Sequence, residues 1–143
     1  IQPRNMTQEE RDLCRKAIAE YKEIRPVVQF GDIYRLKSPF EGEPFASMMY
    51  CSPEKDKAVF YWWKTETFHG QHFPKVEMAG LDPDKVYKIR ELNKIDRRNL
   101  SYEGKTFTGK FLMETGLAIP LKHTVEHHKQ DDWSSRVLYL EAL

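Results

Sequence analysis

The start of the chain carries the pattern of an amphipathic helix. Thr7 and Glu10 fit a capping box, in which each side chain satisfies the free backbone N–H of the other residue. Apolar residues then recur at spacings of three and four, the period of a helix with one apolar face: Leu13, Ala17, Ile18, Tyr21 and Ile24. Pro26 is expected to end or bend this helix near Ile24 or Arg25, with a further short turn through Phe30.

After Gly31 the apolar residues come in short segments separated by turn signals, which is typical of an antiparallel meander or sandwich. The predicted strands are Ile33–Leu36, Phe45–Cys51, Lys57–Thr65, Val76–Ala79, Val86–Leu92 and Arg136–Glu141. Ser52–Asp56 and Leu81–Asp84 suit tight turns, because each holds a proline beside turn-forming polar residues. The pattern therefore predicts a mainly β fold, an antiparallel β-sandwich of the Greek-key type preceded by one N-terminal α-helix.

One short internal helix is also expected. Thr108 suits its N-cap, Gly109 to Thr115 its body, and Gly116 its end.

Two of the predicted strands are apolar on both faces. In the longer one, successive side chains alternate, so Ala58, Phe60 and Trp62 face one way and Val59, Tyr61 and Trp63 the other. The segment Arg136–Glu141 has a similar pattern. A sheet with one wet face would alternate apolar with polar residues. Part of one sheet is therefore expected to be covered on both sides, by a second sheet and by either the N-terminal helix or a neighbouring domain.

Composition narrows the class of protein. The 143 residues are enough for one domain, or one domain with an appendage, and 23 basic against 22 acidic residues give a net charge of +1. An aromatic content of 13% argues against disorder, and the near-neutral charge argues against a dedicated nucleic-acid binder. The longest apolar run, Ala58 to Trp63, is too short to cross a membrane. Cys14 and Cys51 are expected to be reduced thiols, with a single bridge as the alternative.

The search for catalytic chemistry gives weak candidates. Phosphate-binding glycine motifs and the serine-hydrolase elbow do not occur. His123 and His127 are four residues apart and would share a helix face as zinc ligands, but their segment is polar and is expected to be an exposed loop. The carboxylate pairs Asp82/Asp84 and Asp131/Asp132 sit in turn-like sequence, so capping or solvated roles are favoured over catalysis.

The aromatic residues raise a sugar-binding hypothesis. Trp62, Trp63 and Phe68 lie in or just after one strand, and carbohydrate-binding sandwiches stack sugars on exposed aromatic rings. The two tryptophans are neighbours and face opposite sides of the strand, so at most one of them can join a shared platform. Core packing for one and interface packing for the other is the favoured interpretation.

Four segments of the sequence resemble segments of a known protein family. Tyr21–Pro39 reads YKEIRPVVQFGDIYRLKSP, and Gly80–Tyr87 carries Gly-Leu-Asp-Pro before a strand. Thr108–Leu117 reads TGKFLMETGL, and Ser134–Leu140 begins with Ser-Ser-Arg. In order and spacing, these segments resemble the C-terminal part of glycoside hydrolase family 36, the melibiase-type α-galactosidases.

This resemblance implies a parent enzyme with an N-terminal β-rich domain, a catalytic (β/α)₈ barrel and a C-terminal sandwich. Residues 1–30 would be the last barrel helix and a linker, and residues 31–143 the sandwich. The family's two catalytic aspartates lie on barrel strands, which this chain is expected to lack, so no catalytic residue carries over and the chain alone is expected to be inactive. The parent would hydrolyse terminal α-galactosides with retention, and no cofactor is implied.

The resemblance also implies partners. The catalytic barrel of the parent is the expected one, and the apolar face of the first helix (Leu13, Ala17, Ile18, Tyr21 and Ile24) is the expected contact. A second copy of the chain is the alternative, because contiguous exposed apolar surface commonly marks an interaction site. A carbohydrate-binding module remains the alternative function. The sequence does not indicate the compartment.

Overall fold

The computed structural model describes residues 3–42, 44–65, 75–94, 100–119 and 134–143. In these ranges two helices and eight strands follow one another: α1 Gln8–Phe30, β1 Asp32–Lys37, β2 Phe45–Cys51, β3 Lys57–Lys64, β4 Lys75–Val76, β5 Val86–Leu92, β6 Thr106–Thr108, α2 Gly109–Glu114, β7 Leu117–Ala118 and β8 Ser135–Ala142. Single 3₁₀ turns lie at Pro3–Asn5 and Pro39–Glu41. The predicted fold class, mainly β with one N-terminal and one short internal helix, is confirmed.

The strands form one large and one small antiparallel sheet. The large sheet has the order β1-β2-β3-β8-β5-β6, and the small sheet pairs β4 with β7. The last strand, β8, lies between β3 and β5 and pairs with both, as in the register Phe60 to Leu138 and Ile89 to Leu140. The connectivity is therefore not a simple meander.

The large sheet is buried on both faces. One face of β3 places Phe60 and Trp62 in the main core, which it shares with Val76 of the small sheet and Leu112 of α2. The opposite face carries Val59, Tyr139 and Leu92, which form a second cluster with Ile24 and Val27 of α1. The prediction that the doubly apolar strands are covered on both sides is confirmed, and α1 is the second cover.

Helix α1 begins as predicted but does not end at Pro26. Thr7 and Glu10 form the capping box, with the Thr7 backbone N–H donating to Glu10 Oε2 at 2.7 Å. The helix continues through Pro26 to Phe30, so the prediction that it ends near Arg25 is wrong. An interior proline costs about 3 kcal/mol. Ile24 and Val27 flank it and are buried against the sheet, and burying each stabilises the helix by about 1.5–3 kcal/mol.

The close approach of α1 to the sheet requires a glycine at residue 31. A Cβ atom at Gly31 would lie 2.5 Å from the Val27 carbonyl oxygen and 2.6 Å from that of Cys51. Both of these neighbours are backbone atoms, which cannot move aside without moving the helix end or β2. Gly31 thus lets the chain pass from α1 into β1 in direct contact with the end of β2.

The predicted turns and the short helix are present. The Lys55 N–H donates to the Ser52 carbonyl at 2.9 Å with Pro53 between them, and the Asp84 N–H donates to Asp82 Oδ1 at 3.0 Å. Thr108 caps α2, which ends one residue earlier than predicted. The pattern missed β6 and β7, because segments of three and two residues show too little alternation to be recognised.

A buried ion pair joins β5 to β8 inside the main core. Arg136 Nη1 lies 2.6 Å from Glu91 Oε1, and the two side chains are 2% and 0% exposed. Glu91 follows Tyr87 and Ile89 on the core face, so alternation alone directs its carboxylate inward. Tyr102 lies close enough to interact with both charges, and burial raises the pKa of its phenol.

Removing one member of this pair is expected to destabilise the fold strongly. Glu91→Ala would leave the Arg136 guanidinium buried without its carboxylate, and the expected loss is about 3–5 kcal/mol in urea unfolding. Replacing both residues, as Glu91→Leu with Arg136→Met, is expected to restore much of that loss. As a control, Asp12→Ala removes the exposed Asp12–Arg15 pair and is expected to change stability by about 0–1 kcal/mol. A loss for Glu91→Ala as small as this control's would contradict the interpretation.

Candidate functional site

The candidate functional site is α1, which is attached to the sheet along one part and exposed along another. At a rise of 1.5 Å per residue its 23 residues extend about 34 Å. The attached part centres on Ile24 and Val27, which are 5% and 4% exposed. They are the only fully buried residues of the helix, since its remaining side chains are at least partly exposed. The N-terminal half of α1 therefore gains little from the sheet of this chain.

Polar contacts join the attached part to β5 and to the residue after it. Arg90 Nη2 lies 2.6 Å from Glu23 Oε1, and the Arg90 guanidinium stands 5.4 Å above the centre of the Tyr139 ring. The Asn93 N–H donates to Glu20 Oε2 at 2.8 Å. Exposed pairs of this kind add little stability.

The exposed part carries most of the predicted contact residues. Leu13, Ile18 and Tyr21 are 39%, 54% and 50% exposed, and Ala17 is exposed as well. Ile24 does not join them, because it packs on Val59, Leu92 and Tyr139 of its own sheet. The prediction for Ile24 as a contact with another body is therefore corrected: its apolar side chain is already covered.

Two depressions flank the exposed part of α1. A cleft of about 260 Å³ lies between the helix and the sheet, where Tyr21 and Ile24 face Tyr61 and Val137. A groove of about 590 Å³ follows the outer side of the helix. Its lining is Met6, Arg11, Cys14, Arg15, Ile18, Ala19 and Lys22. The groove thus joins an apolar strip to three basic side chains.

The aromatic residues divide between core and surface. Trp62 is fully buried in the main core, so the predicted sugar contact at Trp62 is corrected. Trp63 is 36% exposed and stacks on Tyr61, with ring centres 5.6 Å apart and planes at 6°. That stack occupies one face of each ring. A sugar contact at Trp63 stays a prediction, and Phe68 lies outside the described residues.

The other candidates for chemistry are not assembled in the part of the chain that the structure describes. His123 and His127 lie outside it, as do Asp131 and Asp132. Within the described ranges no three histidine, cysteine or acidic side chains are grouped as metal ligands. Asp82 starts a turn, as expected. Nor do the described helices include one long and apolar enough to span a membrane.

Sequence reasoning missed the polar side of this site. The basic residues Arg11, Arg15 and Lys22 are spaced by four and seven, which places them on one face of a helix, and this spacing was the available signal. No sequence signal predicted that Glu20 contacts Asn93 and that Glu23 contacts Arg90, since these partners are some 70 residues further along the chain.

Comparison with known proteins identifies the domain. A family model described as the C-terminal domain of glycosyl hydrolase family 36 matches residues 45–140. Among curated proteins, a probable alpha-galactosidase C of Aspergillus terreus is 29% identical over 143 residues, which is 100% of this chain and 16% of that protein. Alpha-galactosidase Mel36A of Lactobacillus acidophilus is 30% identical over 138 residues, or 96% of this chain and 16% of that protein.

Solved structures agree with this fold. The GH36 alpha-galactosidase AgaB of Geobacillus stearothermophilus superimposes with a TM-score of 0.77 and 27% identity, over 99% of this chain and 17% of that one. The alpha-galactosidase of Lactobacillus brevis has a TM-score of 0.80 at 24% identity, over 100% of this chain and 18% of that one, and shows the fold alone. The chain spans about one sixth of the length of the curated relatives.

Alkaline pH is expected to weaken the attachment of α1 through Tyr139. Burial, helped by Glu141 and Glu23, raises the pKa of Tyr139 from 10.0 to about 12. The folded chain therefore keeps this proton after the unfolded chain has lost it. The contribution of the protonated Tyr139 phenol to stability is therefore complete below pH 10. Between pH 10 and 12 the free energy of unfolding falls by at most about 1.4 kcal/mol per pH unit.

Urea unfolding across that window would measure the effect. Tyr139→Phe is expected to remove part of the fall, whereas Tyr21→Phe, a change at a half-exposed ring, serves as the control. The same fall in the Tyr139→Phe chain as in the native chain would contradict this role.

Proposed function

The chain belongs to the C-terminal domains of glycosyl hydrolase family 36, and we propose that it is the non-catalytic C-terminal β-sandwich of an α-galactosidase. In this proposal it supports the catalytic barrel of the parent enzyme. That enzyme hydrolyses terminal α-galactosides of oligosaccharides with retention, through a glycosyl-enzyme intermediate. The chemistry belongs to the barrel, and no residue of this chain is given a catalytic role.

The observation that carries the proposal is the division of α1 into two parts. One part is buried against the large sheet through Ile24 and Val27, while Leu13, Ile18 and Tyr21 remain exposed on the same helix. Apolar side chains exposed together at helical spacing commonly mark an interaction surface. The relatives are about six times longer than this chain, so a partner within the same polypeptide is available in each of them.

The family model starts after α1. It begins at residue 45 and so omits both α1 and β1, whereas the similarity to the first four curated relatives extends over 94% or more of this chain. We propose that residues 1–30 belong to two structural units. They form the last helix of the barrel, and they also cover one face of the sandwich. Residues 31–143 then form the sandwich itself.

The proposal predicts that apolar residues of α1 matter more in the enzyme than in the isolated chain. Leu13→Ala and Ile18→Ala keep the helix propensity high and, in the isolated chain, are expected to change the free energy of unfolding by less than about 0.5 kcal/mol each. In an α-galactosidase that carries this domain, both side chains would be buried by the barrel, and the loss is expected to reach about 2 kcal/mol or more each. Denaturant unfolding of both proteins measures the difference.

The matched control is Phe111→Ala on α2. Phe111 is 37% exposed, close to the 39% of Leu13, but lies on the opposite side of the large sheet and stacks on Phe107 at 5.3 Å. The loss in free energy of unfolding caused by Phe111→Ala is expected to be the same in the isolated chain and in the enzyme. Equal effects of the α1 substitutions in the two proteins would contradict the docking of α1 on a barrel.

A further inference from the structure

The outer groove of α1 is lined by apolar side chains and by side chains of one charge sign. The apolar lining residues are Met6, Cys14, Ile18 and Ala19, and the remaining ones are Arg11, Arg15 and Lys22. The three basic residues follow one another at intervals of four and seven, so they form one line along the helix, with Ile18 on one flank and Ala19 on the other. No carboxylate lines this groove among the described residues.

Three of the five acidic residues of α1 are engaged away from the groove. Glu10 closes the capping box with Thr7, Glu20 accepts from the Asn93 N–H, and Glu23 pairs with Arg90. Asp12 pairs with Arg15 beside the groove. Among the described residues Arg11 and Lys22 make no ion pair, so these two basic side chains of the groove have no counter-charge in that part of the chain.

A surface that covers this groove has to meet both features. Apolar atoms would be needed over Cys14 and Ile18. Arg11 and Lys22 would lose water in the contact, and a charge that is desolvated without a partner opposes association. Carboxylates placed opposite them would remove that penalty and would also direct the approach of the two surfaces.

We propose that α1 is docked by a surface of the parent chain that places apolar atoms against Cys14 and Ile18 and carboxylates opposite Arg11 and Lys22. This inference rests on the proposed function and adds the chemistry of the partner to it. The occupant is the remaining part of the same polypeptide, which makes up about five sixths of the curated relatives. The length of chain outside this domain supports that occupant.

A second copy of the chain is a poorer occupant of the same groove. In a symmetric pair the groove faces itself, so Arg11, Arg15 and Lys22 of one copy would stand opposite the same three residues of the other. Like charges brought together across an interface oppose association, most strongly at low salt.

The test uses charge reversal in an α-galactosidase that carries this domain. Arg11→Glu with Lys22→Glu is expected to lower the midpoint of thermal unfolding of the enzyme at low salt by about 2–4 °C. High salt should reduce this shift, since it screens exposed charges. Arg11→Lys with Lys22→Arg keeps the charges and is expected to leave the midpoint unchanged. Lys105→Glu with Lys110→Glu makes the same change of net charge at exposed residues away from α1, and is also expected to be neutral.

The outcomes separate this inference from the proposed function. A charge-reversal shift in the enzyme, with none in the isolated chain, supports the acidic partner surface. Loss of stability in the Leu13→Ala and Ile18→Ala enzyme without any effect of charge reversal overturns the acidic surface but leaves the docking. If charge reversal shifts the midpoint of thermal unfolding equally in the enzyme and in the isolated chain, the inference of an acidic partner surface is also overturned. If the isolated chain forms a stable dimer at low salt, and if Arg11→Glu with Lys22→Glu strengthens that dimer, the groove belongs to a second copy. That result also overturns the inference of an acidic partner surface.

Discussion

The contact between α1 and the second face of the large sheet is the constraint on which the rest of the structure depends. β3 and β8 lie at the centre of the sheet and are apolar on both faces, so the main core covers only half of their side chains. Val59 and Tyr139 would face water without the helix. Leaving such side chains uncovered would forgo about 1.5–3 kcal/mol for each of them, which is a large share of a net stability of about 5–15 kcal/mol. The helix is therefore an integral layer of the fold.

The same contact explains why an interior proline and a crowded glycine are tolerated at the end of α1. Burial of Ile24 and Val27 outweighs the lost hydrogen bond at Pro26, and Gly31 allows the backbone to turn in contact with Cys51. Both features place the C-terminal half of α1 in contact with the sheet. The N-terminal half keeps its apolar side chains exposed, as an element shared between two bodies requires.

The sequence predicted which faces of the sheet are covered better than it predicted where the helices end. The alternation in β3 and β8 indicated two covered faces, and Thr7 with Glu10 indicated where α1 begins. Pro26 misled the prediction because a local rule was overridden by tertiary packing, which the local pattern does not contain. The helical period also identified an apolar stripe on α1: Leu13, Ala17, Ile18, Tyr21 and Ile24. It did not predict that the sheet buries Ile24 alone among these five, because the period does not say how far the sheet extends along the helix.

The most direct test of a shared α1 is the accessibility of its cysteine. Cys14 lines the outer groove and is partly exposed, whereas Cys51 is buried in the main core, where burial also raises the pKa of its thiol. Labelling with a small thiol reagent would compare the isolated chain with an α-galactosidase that carries this domain, and Cys51 provides the internal control. We expect Cys14 to react in the isolated chain and to be protected in the enzyme, while Cys51 stays unreactive in both. Equal reaction of Cys14 in the two proteins would contradict the account.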